Sequence, residues 1–199
     1  MKTSQNYIIE KMLINKNSKI VYKYHPKTKD ELKDIIKQKI ESEGNECNLN
    51  DIDTSNITDM SYLFEYSDFN GDISNWNVSN VTDMEGMFYG SKFNGDISKW
   101  NVSNVTNMTC VFYETVFNQD ISNWDVSNVR YIKYMFAHSK FNGDISKWNV
   151  SNVVYMGGMF LASKFNGDIS KWDVSNVVYK SFIFNNCHIE EKYQPKFKK

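Results

Sequence analysis

The segment FNGDISNWNVSNVTDMEGMFYGSK, residues 69–92, restarts at Phe93, Phe117, Phe141 and Phe165 with an unbroken period of 24 residues. A degraded copy, LNDIDTSNITDMSYLFEYSD, precedes it at residues 49–68. A unit this short cannot bury an apolar face by itself, so neighbouring copies must stack into one continuous core. The period also divides the chain: a non-repeating segment at 1–46, six repeats over 47–188, and a basic tail at 189–199.

Counting Phe69 as position 1, the inward columns can be read directly. Position 5 is aliphatic throughout, from Leu49 to Ile169. Position 8 is Ile52 and then all five tryptophans, Trp76, Trp100, Trp124, Trp148 and Trp172. Positions 10 and 13 are almost entirely β-branched, and position 20 is Phe in every unit, from Phe64 to Phe184. The repeat thus accounts for an aromatic content of 15%. Trp-x-Val has the alternation of a short strand, and strands of successive units would pair in parallel at roughly 4.8 Å. The following Thr-Asp-Met-x-x-Met-Phe has helical apolar spacing and a cap-like Thr82, so one short helical or 3₁₀ turn is expected there. Asn-Gly-Asp at Asn70, Gly71 and Asp72 marks a corner. Gln119 replaces that Gly in one unit, so the corner does not require a left-handed residue.

Polar columns are as regular as the apolar ones. Position 12 is Asn56, Asn80, Asn104, Asn128, Asn152 and Asn176, and position 4 is Asp72, Asp96, Asp120, Asp144 and Asp168. Such constancy among units with different neighbours indicates backbone capping at bends. The last unit departs from the pattern: Lys180 stands where other units carry Met or Ile. Lys can snorkel only from a terminal layer, so Lys180 marks the end of the stack.

In the first 46 residues, segments 7–14 and 19–24 are β-rich and joined by Asn15 to Ser18, which reads as a hairpin. Thr28 is a helix N-cap with Glu31 as capping-box partner, and Leu32, Ile35, Ile36 and Ile40 share one face up to Gly44. This hairpin and helix would cover the first open face of the stack.

The pattern Ile-x-x-Trp-x-Val-Ser-Asn-Val-Thr-x-Met-x-x-Met-Phe, with Phe-Asn-x-Asp between copies, resembles the BspA-like leucine-rich-repeat surface proteins of bacteria, and most closely their Trp-containing branch of unknown function. The resemblance covers about residues 47–188. It implies an α/β repeat, a right-handed leucine-rich-repeat solenoid with a short parallel strand and a short helical turn per unit. It also implies binding or adhesion, often at a bacterial surface. The chain lacks the signal peptide and lipobox of the surface members. By its own sequence it is therefore expected in the cytoplasm, and by resemblance at the cell surface or secreted.

Chemistry is sparsely represented. Cys47, Cys110 and Cys187 lie in units that do not adjoin, and His25, His138 and His188 do not repeat. No nucleophile elbow, phosphate loop or zinc-protease motif occurs, so no enzyme activity, cofactor or metal site is expected. Residues 47–188 carry 9 basic and 15 acidic side chains, a net −6 that disfavours nucleic acid. No run of about 18 apolar residues suggests membrane insertion.

The candidates for partner contact are variable positions. Position 7 holds Asn75, Lys99, Asn123, Lys147 and Lys171, and position 9 holds Asn77, Asn101, Asp125, Asn149 and Asp173. Both flank the Trp and, by leucine-rich-repeat geometry, would line a polar concave sheet. A second set is Tyr131, Tyr155 and Tyr179 at position 15, beside Arg130. Tyr and Arg together are a common interface composition. The expected function is a non-catalytic, monomeric binding module for a protein or glycan. The alternative is a structural or self-assembling spacer, against whose open-ended growth the N-terminal cap and the broken sixth unit argue.

Overall fold

The computed structural model describes residues 21–198. The hairpin expected around residues 7–24 lies mostly outside them. Its described end, Tyr24, forms a parallel bridge with Ile52 of the first repeat. One helix follows, α1, Lys29–Glu43. Thr28 caps it by accepting from the Glu31 amide at 3.2 Å. The Glu31 carboxylate reaches back to the amide of Lys27, one residue earlier than a capping box requires. Gly44, at φ 87°, ends the helix by donating to Ile40. Leu32 and Ile36 are buried against the first repeat unit, and Lys39 is buried beneath them between Glu43 and Asp51.

Each repeat unit lies on the next with like residues in register. Trp76 and Trp100 have ring centroids 6.4 Å apart and planes within 1°, and Phe88 and Phe112 are 5.7 Å apart and within 4°. Offset stacks of this kind contribute about 0.5–1.5 kcal/mol each beyond area burial. Columns of Phe, Trp, Ile, Val and Met make one buried cluster from Leu32 to Ile189. Thr54, which replaces Val in the degraded unit, is buried and donates its hydroxyl to the Asn77 carbonyl at 2.9 Å. The polar atom is thus satisfied where it would otherwise weaken the core.

Two local expectations fail. Trp-x-Val is not a strand. The Trp76 amide bonds to Ile73 and the Val81 amide to Val78, so the backbone there closes turns within its own unit. The indole makes the inter-unit link instead: Nε1 of Trp76, Trp100, Trp124, Trp148 and Trp172 donates to the position-5 carbonyl of the preceding unit, at 2.9–3.2 Å. A strand and a pair of turns that bury alternate side chains give the same apolar pattern, which is why alternation misled.

The expected helical turn is also absent, and the inter-unit ladder lies in its place. Parallel bridges run from Asp59 through Asp83, Asn107, Tyr131 and Tyr155 to Tyr179. Beyond them the amides of Met84, Gly86, Phe88 and Gly90 donate to Asn107, Thr109, Val111 and Tyr113 of the next unit. The same four bonds recur at all five junctions. Between them the chain makes successive β-turns, with left-handed backbone at Gly86 and Gly90 and at their equivalents Tyr62, Tyr66, Cys110, Glu114, Tyr134, His138, Gly158, Ala162, Phe182 and Asn186. A left-handed residue at every fourth position cannot continue an α-helix. It turns the amides outward, to the neighbouring unit.

The tail folds back. A 3₁₀ turn, Glu191–Tyr193, brings the Tyr193 carbonyl to the Ile169 amide at 3.0 Å. Ile189 is buried, and Phe197 packs on the core beneath the Lys180 ammonium, 5.6 Å from its ring centre.

Candidate functional site

The polar columns are consumed by the backbone. Asp72, Asp96, Asp120, Asp144 and Asp168 each accept, through Oδ1, from the amide of the Ser two residues on, at 2.9 Å. Position 9 does the same: Asn77, Asn101, Asp125, Asn149 and Asp173 cap the amides of Ser79, Ser103, Ser127, Ser151 and Ser175. These five were expected on a binding sheet. They are exposed, but they stand at turns and serve as caps. Position 12 bridges units, the Asn128 Nδ2 donating to the Ser103 carbonyl at 2.7 Å. Asn94, Asn118 and Asn142 at position 2 bridge them as well, each accepting from the amide of its counterpart one unit on.

Asn75, Lys99, Asn123, Lys147 and Lys171 are all exposed, though on turns and not on a sheet. Among the described residues Lys99, Lys147 and Lys171 form no ion pair.

The tyrosines are brought together. Tyr131 and Tyr155 stack at 5.0 Å and Tyr155 and Tyr179 at 4.5 Å, each on the bridge line between units. Tyr131 is 41% and Tyr179 54% exposed. Arg130, one residue before the bridge, is exposed as well. A second aromatic group shares this ladder at the left-handed turns. Tyr66 meets Tyr89 edge-on at 5.0 Å, Tyr89 stacks on Tyr113 at 4.7 Å, and Tyr113 approaches His138 at 5.5 Å. Sequence reasoning missed these residues. Their signal was Tyr at the same position of two successive units, Tyr89 and Tyr113, with Tyr66 and His138 one position further on in the flanking units.

The Tyr62 hydroxyl donates to the Glu85 carboxylate, which holds the phenol above its ordinary range and therefore protonated. Burial pushes the Cys110 thiol up to about 11. At neutral pH this favours the thiol over the nucleophilic thiolate. Among the described residues no three His, Cys, Asp or Glu side chains group to hold a metal ion, and no helix is long and apolar enough to cross a membrane.

A family model described as "Mycoplasma protein of unknown function, DUF285" matches residues 31–140 and 113–195. The chain belongs to this DUF285 family. The matched span takes in α1 from its third residue, the six repeats and the start of the folded-back tail, so most of the cap and all the repeats lie within the matched region. No curated protein and no solved structure matches the chain.

Proposed function

We propose that this DUF285 chain is a non-catalytic binding module, a right-handed leucine-rich-repeat solenoid of the BspA-like kind that presents its tyrosine-bearing ladder to a partner, adhesin-like, at a cell surface. The observation that carries this reading is the stacked aromatic row Tyr131, Tyr155 and Tyr179 beside Arg130, exposed at Tyr131 and Tyr179 and half-buried at Tyr155. Large aromatic side chains of low rotamer entropy, held in register by a rigid backbone, are what an interface uses as anchors. The Asn and Asp columns support it by contrast, since each already spends a side-chain polar group on the backbone, by accepting from an amide or, at position 12, by donating to a carbonyl.

The partner is a protein surface in preference to a glycan. Sugar rings stack on free aromatic faces, and here the inner faces are turned to one another, leaving edges, hydroxyls and the outer faces of the two end rings. The positive ring edges and the phenol groups suit carbonyls and carboxylates.

The test is capture of a partner on immobilised full chain. A Tyr131→Ala/Tyr155→Ala variant should lose it while a Lys99→Ala/Lys147→Ala/Lys171→Ala variant keeps it. The reverse result would return the site to the position-7 lysines. A spacer role predicts no partner for any variant and a mass that grows with concentration in light scattering.

A further inference from the structure

The ladder has a direction. Over positions 16 to 22 every inter-unit bond runs one way, with the amides of one unit donating to carbonyls of the next. Peptide dipoles aligned in this manner add, as they do along a helix. Over this stretch the stack therefore has an acceptor end and a donor end, while the amides at positions 14, 15 and 24 donate the opposite way, to the preceding unit.

The acceptor end is compensated. The carbonyls of Asp59, Ser61, Leu63 and Glu65 accept no backbone bond among the described residues. Over them lies α1. Its Lys29 ammonium bonds the Asp59 carboxylate at 2.8 Å and the Ser61 hydroxyl at 2.7 Å, and Lys33 and Lys37 share a groove with Leu63 and Glu65.

The donor end is not. The amides of Lys180, Phe182, Phe184 and Asn186 have no backbone acceptor among the described residues. The segment 174–189 contains no Asp or Glu, and Lys180 and His188 are its titratable side chains besides Tyr179 and Cys187. Beside these amides Val178, Tyr179 and Phe182 are 67%, 54% and 60% exposed. The tail touches this edge at the Lys180 side chain, whose ammonium donates to the Lys198 carbonyl, and its backbone bonds at Ile169; among the described residues it leaves the four amides without an acceptor.

We infer that this C-terminal edge is a docking edge for an acidic, extended segment of a partner protein, whose carboxylates receive the four amides. Pairing rules exclude the other occupants. Two copies meeting at this edge would set donors against donors, and the acceptor end of a second copy is covered by its own α1. A regular β-strand offers amides and carbonyls in alternation to one side, so half its groups would meet donors. An extended peptide with acidic residues at alternate positions puts its carboxylates on one face about 6.6 Å apart. This inference rests on the stacking of the units and is independent of the tyrosine-surface reading.

The experiment is fluorescence anisotropy with the full 199-residue chain and a labelled peptide alternating Glu and Leu, at low salt. The comparison probe has Lys in place of each Glu. Binding of the Glu peptide alone is expected. The double variant Asn185→Asp/Asn186→Asp adds carboxylates at the edge and should weaken binding about tenfold. A charge-matched variant, Lys147→Gln/Lys171→Gln, should leave it unchanged. Lys180→Glu, which sets a carboxylate beside one of the four amides, should weaken it too, which protects the test if the Asp variant is misfolded by circular dichroism. No binding, equal binding of the Lys peptide, or equal loss in the edge and charge-matched variants would overturn the inference. So would a peptide-free mass that doubles with concentration, which would make the occupant a second copy.

Discussion

The ring of Tyr134 lies directly over Gly158 of the next unit, where any Cβ would be driven into its Cε1 and Cδ1 atoms. Both residues occupy the same repeat position and both are left-handed, at φ 55° and φ 64°. A Tyr in one unit thus demands a Gly in the following one. Tyr62 over Gly86 and Tyr66 over Gly90 repeat the arrangement.

Gly158→Ala therefore meets two penalties, the left-handed backbone and the ring. The backbone part alone is about 1–2 kcal/mol, and the clash adds to it. A fall in Tm of several degrees or more is expected. Placed in a Tyr134→Ala background the same change should cost only the backbone part. Equal losses in the two backgrounds, measured by thermal unfolding, would show that the ring does not constrain Gly158.

The buried columns and the period were legible in the sequence because they depend on side-chain polarity, which recurs unit by unit. The capping roles of Asp96 and Asn128 were legible for the same reason. The ladder was not. Its defining property is where the amides of Met84, Gly86, Phe88 and Gly90 point, and no side chain reports that. The left-handed sites accept Tyr, Cys, Glu, His, Ala, Phe and Asn as well as Gly, so residue identity conceals them. At the Asn-Gly-Asp corner the reverse holds. The Gly is conspicuous, yet Gly95, Gly143 and Gly167 are not left-handed, and Gly71 matters for its close approach to the Cys47 carbonyl.

Trp124→Phe tests the indole link. The change keeps most of the stacked aromatic area and removes the Nε1 bond to the Ile97 carbonyl, 3.1 Å long and buried. The Ile97 carbonyl keeps the Trp100 amide as a donor, so loss of the indole bond costs about 0.5–1.5 kcal/mol, and the smaller ring leaves a void that adds to it. Chemical denaturation should show a lower midpoint with little change in slope. A midpoint within error of the parent would mean that the indole nitrogen contributes packing alone.

Asn128 separates capping from recognition. Its Nδ2 donates to the Ser103 carbonyl, and the side chain is exposed. Asn128→Ala should cost about 1 kcal/mol by loss of that bond. Asn128→Asp should cost more, because a carboxylate oxygen then faces a carbonyl oxygen. If both variants melt with the parent while partner capture falls, Asn128 is a contact residue and not a cap.

The Asp column predicts how the stack responds to acid. Hydrogen bonds from Ser98, Ser122, Ser146 and Ser170 hold the carboxylates of Asp96, Asp120, Asp144 and Asp168 below the usual range. A carboxyl whose folded pKa is depressed binds a proton more readily when unfolded. Its stabilisation is complete above the unfolded value of about 4 and is lost as pH falls through the lower folded value. Tm should accordingly be level from pH 7 to about 5 and fall below about 4. Asn already fills the equivalent capping role at Asn77, Asn101 and Asn149, accepting from an amide without a charge. Replacing Asp96, Asp120, Asp144 and Asp168 together by Asn should keep the turns and flatten the acid limb of the profile. An unaltered limb would place the acid sensitivity elsewhere, with the Lys29–Asp59 pair under α1 as the next group to test.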